Sequence, residues 1–112
     1  MRDHPAVPLG EVEQLVLLTA LRLGDGAYPV AVRNEIEART GIALSRATVY
    51  ITLDRLERKG YLESWFGEPT PERGGKAKRC FRVEPAGLRA LKASMTALDR
   101  LAAGTRLAPE RR

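Results

Sequence analysis

At Gly60 the hydrophobic spacing of this chain switches from about 3.6 residues to about 2, and after Val83 it switches back. Two stretches carry the short period: Tyr61-Leu62-Glu63-Ser64-Trp65-Phe66, and residues 77–83, with Phe81 and Val83 on one face. They read as the paired strands of a hairpin. Between them Gly67-Glu68-Pro69-Thr70-Pro71-Glu72-Arg73-Gly74-Gly75-Lys76 is a turn-rich loop. Arg73, Lys76, Lys78 and Arg79 gather at its far end, so the expected hairpin has a basic tip.

Three helices are expected before the hairpin. The first covers residues 10–23 and ends at the breaker Gly24-Asp25-Gly26. Its apolar residues Val12, Leu15, Val16, Leu17, Leu18, Ala20, Leu21 and Leu23 cover almost the whole circumference. A helix apolar all round must be buried on more than one side, and in so small a domain a second subunit is the natural cover. The second helix, residues 28–40, tolerates Pro29 in its first turn and stops at Gly41. Val32 and Ile36 give it a narrow inward stripe, while Arg33, Asn34, Glu35, Glu37 and Arg39 face outward. Ser45 is a good N-cap for the third helix, residues 46–59. On a helical wheel Val49, Leu53 and Leu56 fall together toward the core. Ala47, Ile51, Asp54 and Arg58 lie opposite, flanked by Thr48, Arg55 and Tyr50. After the hairpin, Glu84-Pro85 opens a fourth helix with Pro85 at its first position. Leu88, Leu91, Met95, Leu98 and Ala102 then follow heptad spacing up to Gly104.

The chain has 112 residues, one domain's worth of material. Nineteen Lys and Arg against fourteen Asp and Glu give a net charge of +5, which fits a polyanionic partner such as nucleic acid. Fifteen of the nineteen cations are Arg, whose planar fork suits phosphate and guanine. One Cys leaves no internal disulfide, and one His with one Cys does not make a structural zinc site. No metal and no cofactor are therefore expected. The apolar run at residues 15–21 is too short to span a bilayer, and Asp3, His4 and two prolines do not make a secretory signal. The expectation is a cytoplasmic protein with no membrane role. No nucleophile–base pair, phosphate-binding glycine loop or carboxylate dyad stands out, so the chain is not expected to be an enzyme.

Three helices followed by a hairpin is the winged helix-turn-helix arrangement, in which the third helix enters the major groove. The expected fold class is mainly α with a small β-hairpin: a winged helix-turn-helix domain plus a C-terminal dimerisation helix. Residues 1–9 would be a flexible arm, 10–83 the winged domain, 84–104 the dimerisation helix and 105–112 a basic tail. The outer face of the third helix offers apolar groups for thymine methyls, hydroxyls for phosphates or base edges, and arginines for guanine or phosphate. Expected DNA contacts on that helix are Arg46, Thr48, Tyr50, Ile51 and Arg55. Expected phosphate contacts on the wing are Arg73, Lys76, Lys78 and Arg79. The expected dimer interface joins Leu15 and Leu18 to Leu88, Leu91, Met95 and Leu98.

Three segments carry a resemblance: Glu13-Gln14-Leu15-Val16-Leu17-Leu18, then Thr48-Val49-Tyr50-Ile51-Thr52-Leu53-Asp54-Arg55-Leu56-Glu57-Arg58-Lys59-Gly60, then Gly74-Gly75-Lys76-Ala77-Lys78-Arg79. Through them residues 10–92 resemble a PadR-type transcriptional regulator, most specifically from Tyr50 to Gly60. The resemblance implies a homodimeric winged-helix DNA binder, usually a repressor, whose C-terminal helix contributes to dimerisation. It also implies DNA contacts at Thr48 and Tyr50 and along residues 76–79. Two departures stand out: Cys80 and Phe81 occupy positions that often hold an aromatic pair, and the sequence carries one C-terminal helix, as in the short members. A two-fold dimer would read a palindromic operator, and a small-molecule effector between subunits would add to that function. The rival reading is a winged-helix protein-interaction module without a DNA role. In blander readings the basic tip only solvates the loop, Tyr50 packs on the second helix, and the fourth helix packs on the first. Likewise Trp65 packs under the hairpin, Cys80 is a small buried residue, and Asp54 and Glu57 pair with Arg58 or Arg55.

Overall fold

Proline, glycine and one serine set the helix ends in the computed structural model, which describes residues 9–68 and 77–107. His4 and the wing residues Arg73 and Lys76 lie outside the described residues. The elements run α1 (Glu11–Leu23), α2 (Pro29–Thr40), α3 (Arg46–Arg58), β1 (Leu62–Phe66), β2 (Arg79–Val83) and α4 (Pro85–Ala102). The fold is mainly helical with one antiparallel hairpin, the expected class. Pro29 and Pro85 open α2 and α4, where a missing N–H costs nothing. Gly41 ends α2 in the left-handed conformation at φ 77°, and its N–H donates to the Glu37 carbonyl. The Ser45 hydroxyl accepts the Thr48 N–H at 3.0 Å and so starts α3.

Helix α1 lacks a side chain at its cap, Gly10, and is held from the other direction. Glu13 reaches back to accept the Gly10 N–H at 3.0 Å and takes the Lys59 ammonium at 2.6 Å, joining the start of α1 to the end of α3. Burial alone would push the Glu13 carboxyl up, but Lys59 and the Gly10 N–H outweigh it and hold it below its ordinary value of 4.5. A depressed carboxylate stabilises the fold above its unfolded pKa, and that contribution is lost as pH falls through the folded pKa. Glu13→Gln is therefore expected to cost about 1 kcal/mol at neutral pH, discounted because Lys59 is partly solvated. Urea melts of the two proteins should differ by this amount at neutral pH and converge well below the ordinary carboxyl pKa. A loss of equal size at both pH values would assign the effect to packing instead.

The core is built where α1, α2 and α3 meet under the hairpin. Val16 and Leu17 of α1, Val32 and Ile36 of α2, and Val49, Leu53 and Leu56 of α3 are all buried. The hairpin adds Leu62 and Phe81, and α4 adds Leu91. Strand register pairs Leu62 with Val83, Ser64 with Phe81 and Phe66 with Arg79. A further rung comes from outside the hairpin: the Phe81 N–H donates to the Ala27 carbonyl at 2.8 Å, fastening β2 to the link between α1 and α2. Trp65 is half-buried on β1 opposite Cys80, which is buried, in keeping with the packing roles expected of both.

Helix α4 differs from the heptad expectation. Its buried residues are Gly87, Leu91 and Ser94, not the full leucine seam. Gly87 lets the helix cross Tyr61 closely, since a Cβ there would lie 3.0 Å from the Tyr61 carbonyl carbon. The Ser94 hydroxyl accepts the Leu9 N–H at 2.9 Å. Small residues and a hydroxyl make the inward face, a pattern that hydrophobic spacing does not register. Leu88 is left half-buried, and Met95 and Leu98 are left exposed.

Candidate nucleic-acid interface

The position of α3 follows from the turn before it. Arg33, expected to face solvent, donates from Nε to the Leu44 carbonyl at 2.9 Å and ties α2 to the residue just ahead of the Ser45 cap. Val49, Thr52, Leu53 and Leu56 then turn inward. Thr52 is tolerated there because its hydroxyl donates to the Thr48 carbonyl at 2.7 Å, satisfying a buried polar group.

What remains outward is the face expected from the wheel. Arg46, Ala47, Tyr50, Ile51 and Arg55 are exposed, with Tyr50 at 44% and Ile51 at 54%. Arg46 and Arg55 form no ion pair with the described residues. Thr48 sits slightly apart: it is half-buried and its hydroxyl is hydrogen-bonded to Ser45 at 2.9 Å, so it serves the helix cap as well as the surface. Beside Tyr50 a recess of about 200 Å³ is lined by Pro29, Val30 and Arg46. Tyr50 thus borders α2 and remains open to solvent.

The hairpin places its cations differently from one another. Lys78 stands over the Tyr28 ring at 4.3 Å, and Arg82 over Trp65 at 4.5 Å with Asp25 3.7 Å away. Arg79 is turned onto α3, with its side chain only 20% exposed. It donates to the Tyr50 hydroxyl at 2.7 Å, to Asp54 at 3.2 Å and to Glu57 at 2.5 Å. Glu57 also accepts the Ser64 hydroxyl at 2.7 Å, and Asp54 pairs with Arg58 at 3.4 Å. Burial would push the Arg79 pKa down, but Tyr50, Asp54 and Glu57 more than compensate and raise it. Asp54 thus has its expected partner in Arg58, and the sequence did not show that both carboxylates also share Arg79. That contact spans 25 residues and exists only once β2 lies beside α3.

A second surface lies on the far side of α1. A groove of about 190 Å³ runs between α1 and α4, lined by Gln14, Leu15, Leu18, Leu91, Met95, Leu98 and Asp99. Leu18 and Leu21 of α1 and Met95, Leu98 and Leu101 of α4 are exposed. The apolar circumference of α1 is therefore only partly covered within one chain. Among the described residues no cluster of His, Cys, Asp or Glu could hold a metal ion. No helix among them is long and apolar enough to cross a membrane.

Known proteins match this chain as follows. A regulator of the PadR family from Eggerthella lenta superposes with a TM-score of 0.65 at 29% identity, covering 84% of this chain and 81% of its own. A transcriptional regulator from Clostridium thermocellum gives 0.69 at 24% identity, covering 81% and 85%. A PadR-like transcription factor from Bacteroides fragilis gives 0.70 at 18% identity, covering 80% and 82%. No curated protein matches the chain in sequence. Residues 17–93, from α1 into α4, match the transcriptional regulator PadR-like family. With that match spanning well over half its length, the chain belongs to the PadR-like family of transcriptional regulators.

Proposed function

We propose that this protein represses transcription as a two-fold homodimer on a palindromic operator, with α3 in the major groove and the wing on the flanking backbone. The observation that carries this reading is the outer face of α3. Its inner side is fixed by the core and its N-terminus by Ser45, yet around Tyr50 and Ile51 it presents Arg46 and Arg55, neither of which pairs with an acid among the described residues. Arginine forks read guanine or phosphate, and the Ile51 side chain suits a thymine methyl. Thr48 contributes its hydroxyl at the edge of the same face. Lys78, with Arg73 and Lys76 nearby in sequence, supplies the sequence-independent phosphate attraction. Leu15, Leu18, Leu88, Met95 and Leu98 form the dimer interface, over Leu91, which its own chain already buries, because pairing two copies covers the groove that one chain leaves open. A dimer seated on an operator represses by occupying the promoter.

The test is a fluorescence-anisotropy titration against the upstream intergenic DNA and a scrambled duplex of equal length, at several salt concentrations. Tight, salt-sensitive binding to the first and far weaker binding to the second is expected. Lys78→Ala should weaken binding to all sequences alike and flatten the salt slope by about one unit. Ile51→Ala should alter preference among operator variants and leave the slope intact; Thr48→Ala is the poorer probe, because it also disturbs the cap. Equal weak binding to both duplexes, unaffected by reversing the charge at Lys78, would favour the protein-interaction reading.

A further inference from the structure

Arg79 stands at the root of the wing, where a free cation would meet phosphate, yet its charge is already matched. Asp54 and Glu57 both accept from the same nitrogen, Nη2, and Ser64 lies 3.4 Å from Nε. The remaining terminal nitrogen, Nη1, donates to Tyr50 at 2.7 Å. The guanidinium also lies 5.0 Å from the centre of the Phe81 ring, so a buried residue backs it. A cation with two carboxylates in contact offers little net attraction to a phosphate.

The bond to Tyr50 has a chemical consequence. A phenolic oxygen carries one proton and acceptor lone pairs. Arg79 has only protons to give, so it occupies the acceptor side of the Tyr50 oxygen. The Tyr50 proton must then point elsewhere, and no hydrogen bond to a described residue uses it. Tyr50 is thereby preset as a donor on the exposed face of α3.

We infer that Arg79 is a positioning residue that presents Tyr50 as a hydrogen-bond donor to an acceptor on a base edge in the major groove. The acceptors available there for the Tyr50 proton are guanine O6 and N7, adenine N7 and thymine O4; the amino groups of adenine and cytosine cannot accept it. Discrimination by Tyr50 would therefore depend on the wing being folded against α3. This rests on the DNA-binding reading above, and its test separates the two.

Full-length wild type, Tyr50→Phe, Arg79→Lys, Arg79→Met and the Tyr50→Phe/Arg79→Met double variant are titrated with the upstream duplex and its scramble at several salt concentrations. Tyr50→Phe and Arg79→Met should each reduce the preference for the upstream duplex by about five- to tenfold with the salt slope unchanged. The double variant should lose no more than either single one, because both remove one presented donor. Arg79→Lys keeps a cation beside Asp54 and Glu57 but lacks the fork that also reaches Tyr50, so it should fold and still lose preference. A slope lowered by about one unit in Arg79→Met, with equal loss on both duplexes, would make Arg79 a phosphate contact and overturn the inference. So would multiplicative losses in the double variant. Without DNA, the Tyr50 ring signals in NMR spectra should move in Arg79→Lys and Arg79→Met. Unmoved signals overturn the clamp whatever the DNA result, whereas moved signals with a wild type that prefers neither duplex would overturn the DNA reading alone.

Discussion

Phe81→Ala is expected to lower stability by about 3–5 kcal/mol, the largest loss from any single truncation in this chain. Phe81 heads the fully buried side chains and has no solvent exposure. Two costs add: the transfer free energy of the ring, and a cavity that rigid neighbours fill only in part. Strand β2 cannot easily move in to close that cavity, because the Phe81 backbone is held by the strand pair with Ser64 and by the rung to Ala27. In a domain of this size that loss corresponds to a melting temperature lower by about 12 °C or more, read by circular dichroism at one fixed protein concentration. A drop of only a few degrees would mean that the hairpin contributes little to the core. Arg79 rests on the same ring, so the surviving folded fraction should also discriminate less between DNA sequences.

Leu98→Glu is expected to act on association and to leave the single chain folded. Leu98 is 53% exposed, so a carboxylate there meets water in the monomer. In a two-fold dimer every substitution occurs twice across the same contact. About half of each leucine is still open to be buried on pairing, so each copy loses about 0.8–1.5 kcal/mol, about 1.5–3 kcal/mol per dimer before the charges are counted. The dimer dissociation constant should rise by about tenfold or more, with an unchanged circular dichroism spectrum. Sedimentation or light scattering over a concentration series measures this directly. A variant that associates like the wild type would remove the α1–α4 groove from the interface and, with it, the basis for a palindromic operator.

The fold was legible to the extent that its signals are local. The period switch at Gly60, the prolines at 29 and 85, the glycine at 41 and the serine at 45 placed α1 to α4 and both strands within about two residues of their observed ends; the breaker at residues 24–26 forms one short 3-10 turn. Cap and turn chemistry acts over a few residues, so it can be read along the chain. The outward face of α3 was legible for the same reason, since one helical turn relates Arg46, Tyr50 and Ile51. By contrast, helix α4 was read as a leucine seam, whereas its packed face is Gly87, Leu91 and Ser94, where small residues allow close approach.

The sequence by itself determined the elements, their order, the basic balance and the side of α3 that stays open, because period, caps and charge are properties of neighbouring residues. Only the tertiary structure decided that Phe81 is fastened to Ala27, that Arg33 holds Leu44, and that Arg79 faces Tyr50, Asp54 and Glu57 instead of solvent. Those partners are brought together by how the helices and hairpin dock, and docking is set by the shape of the whole core. A side chain's charge is written in the sequence, but whether that charge is spent inside the fold depends on what the fold places beside it.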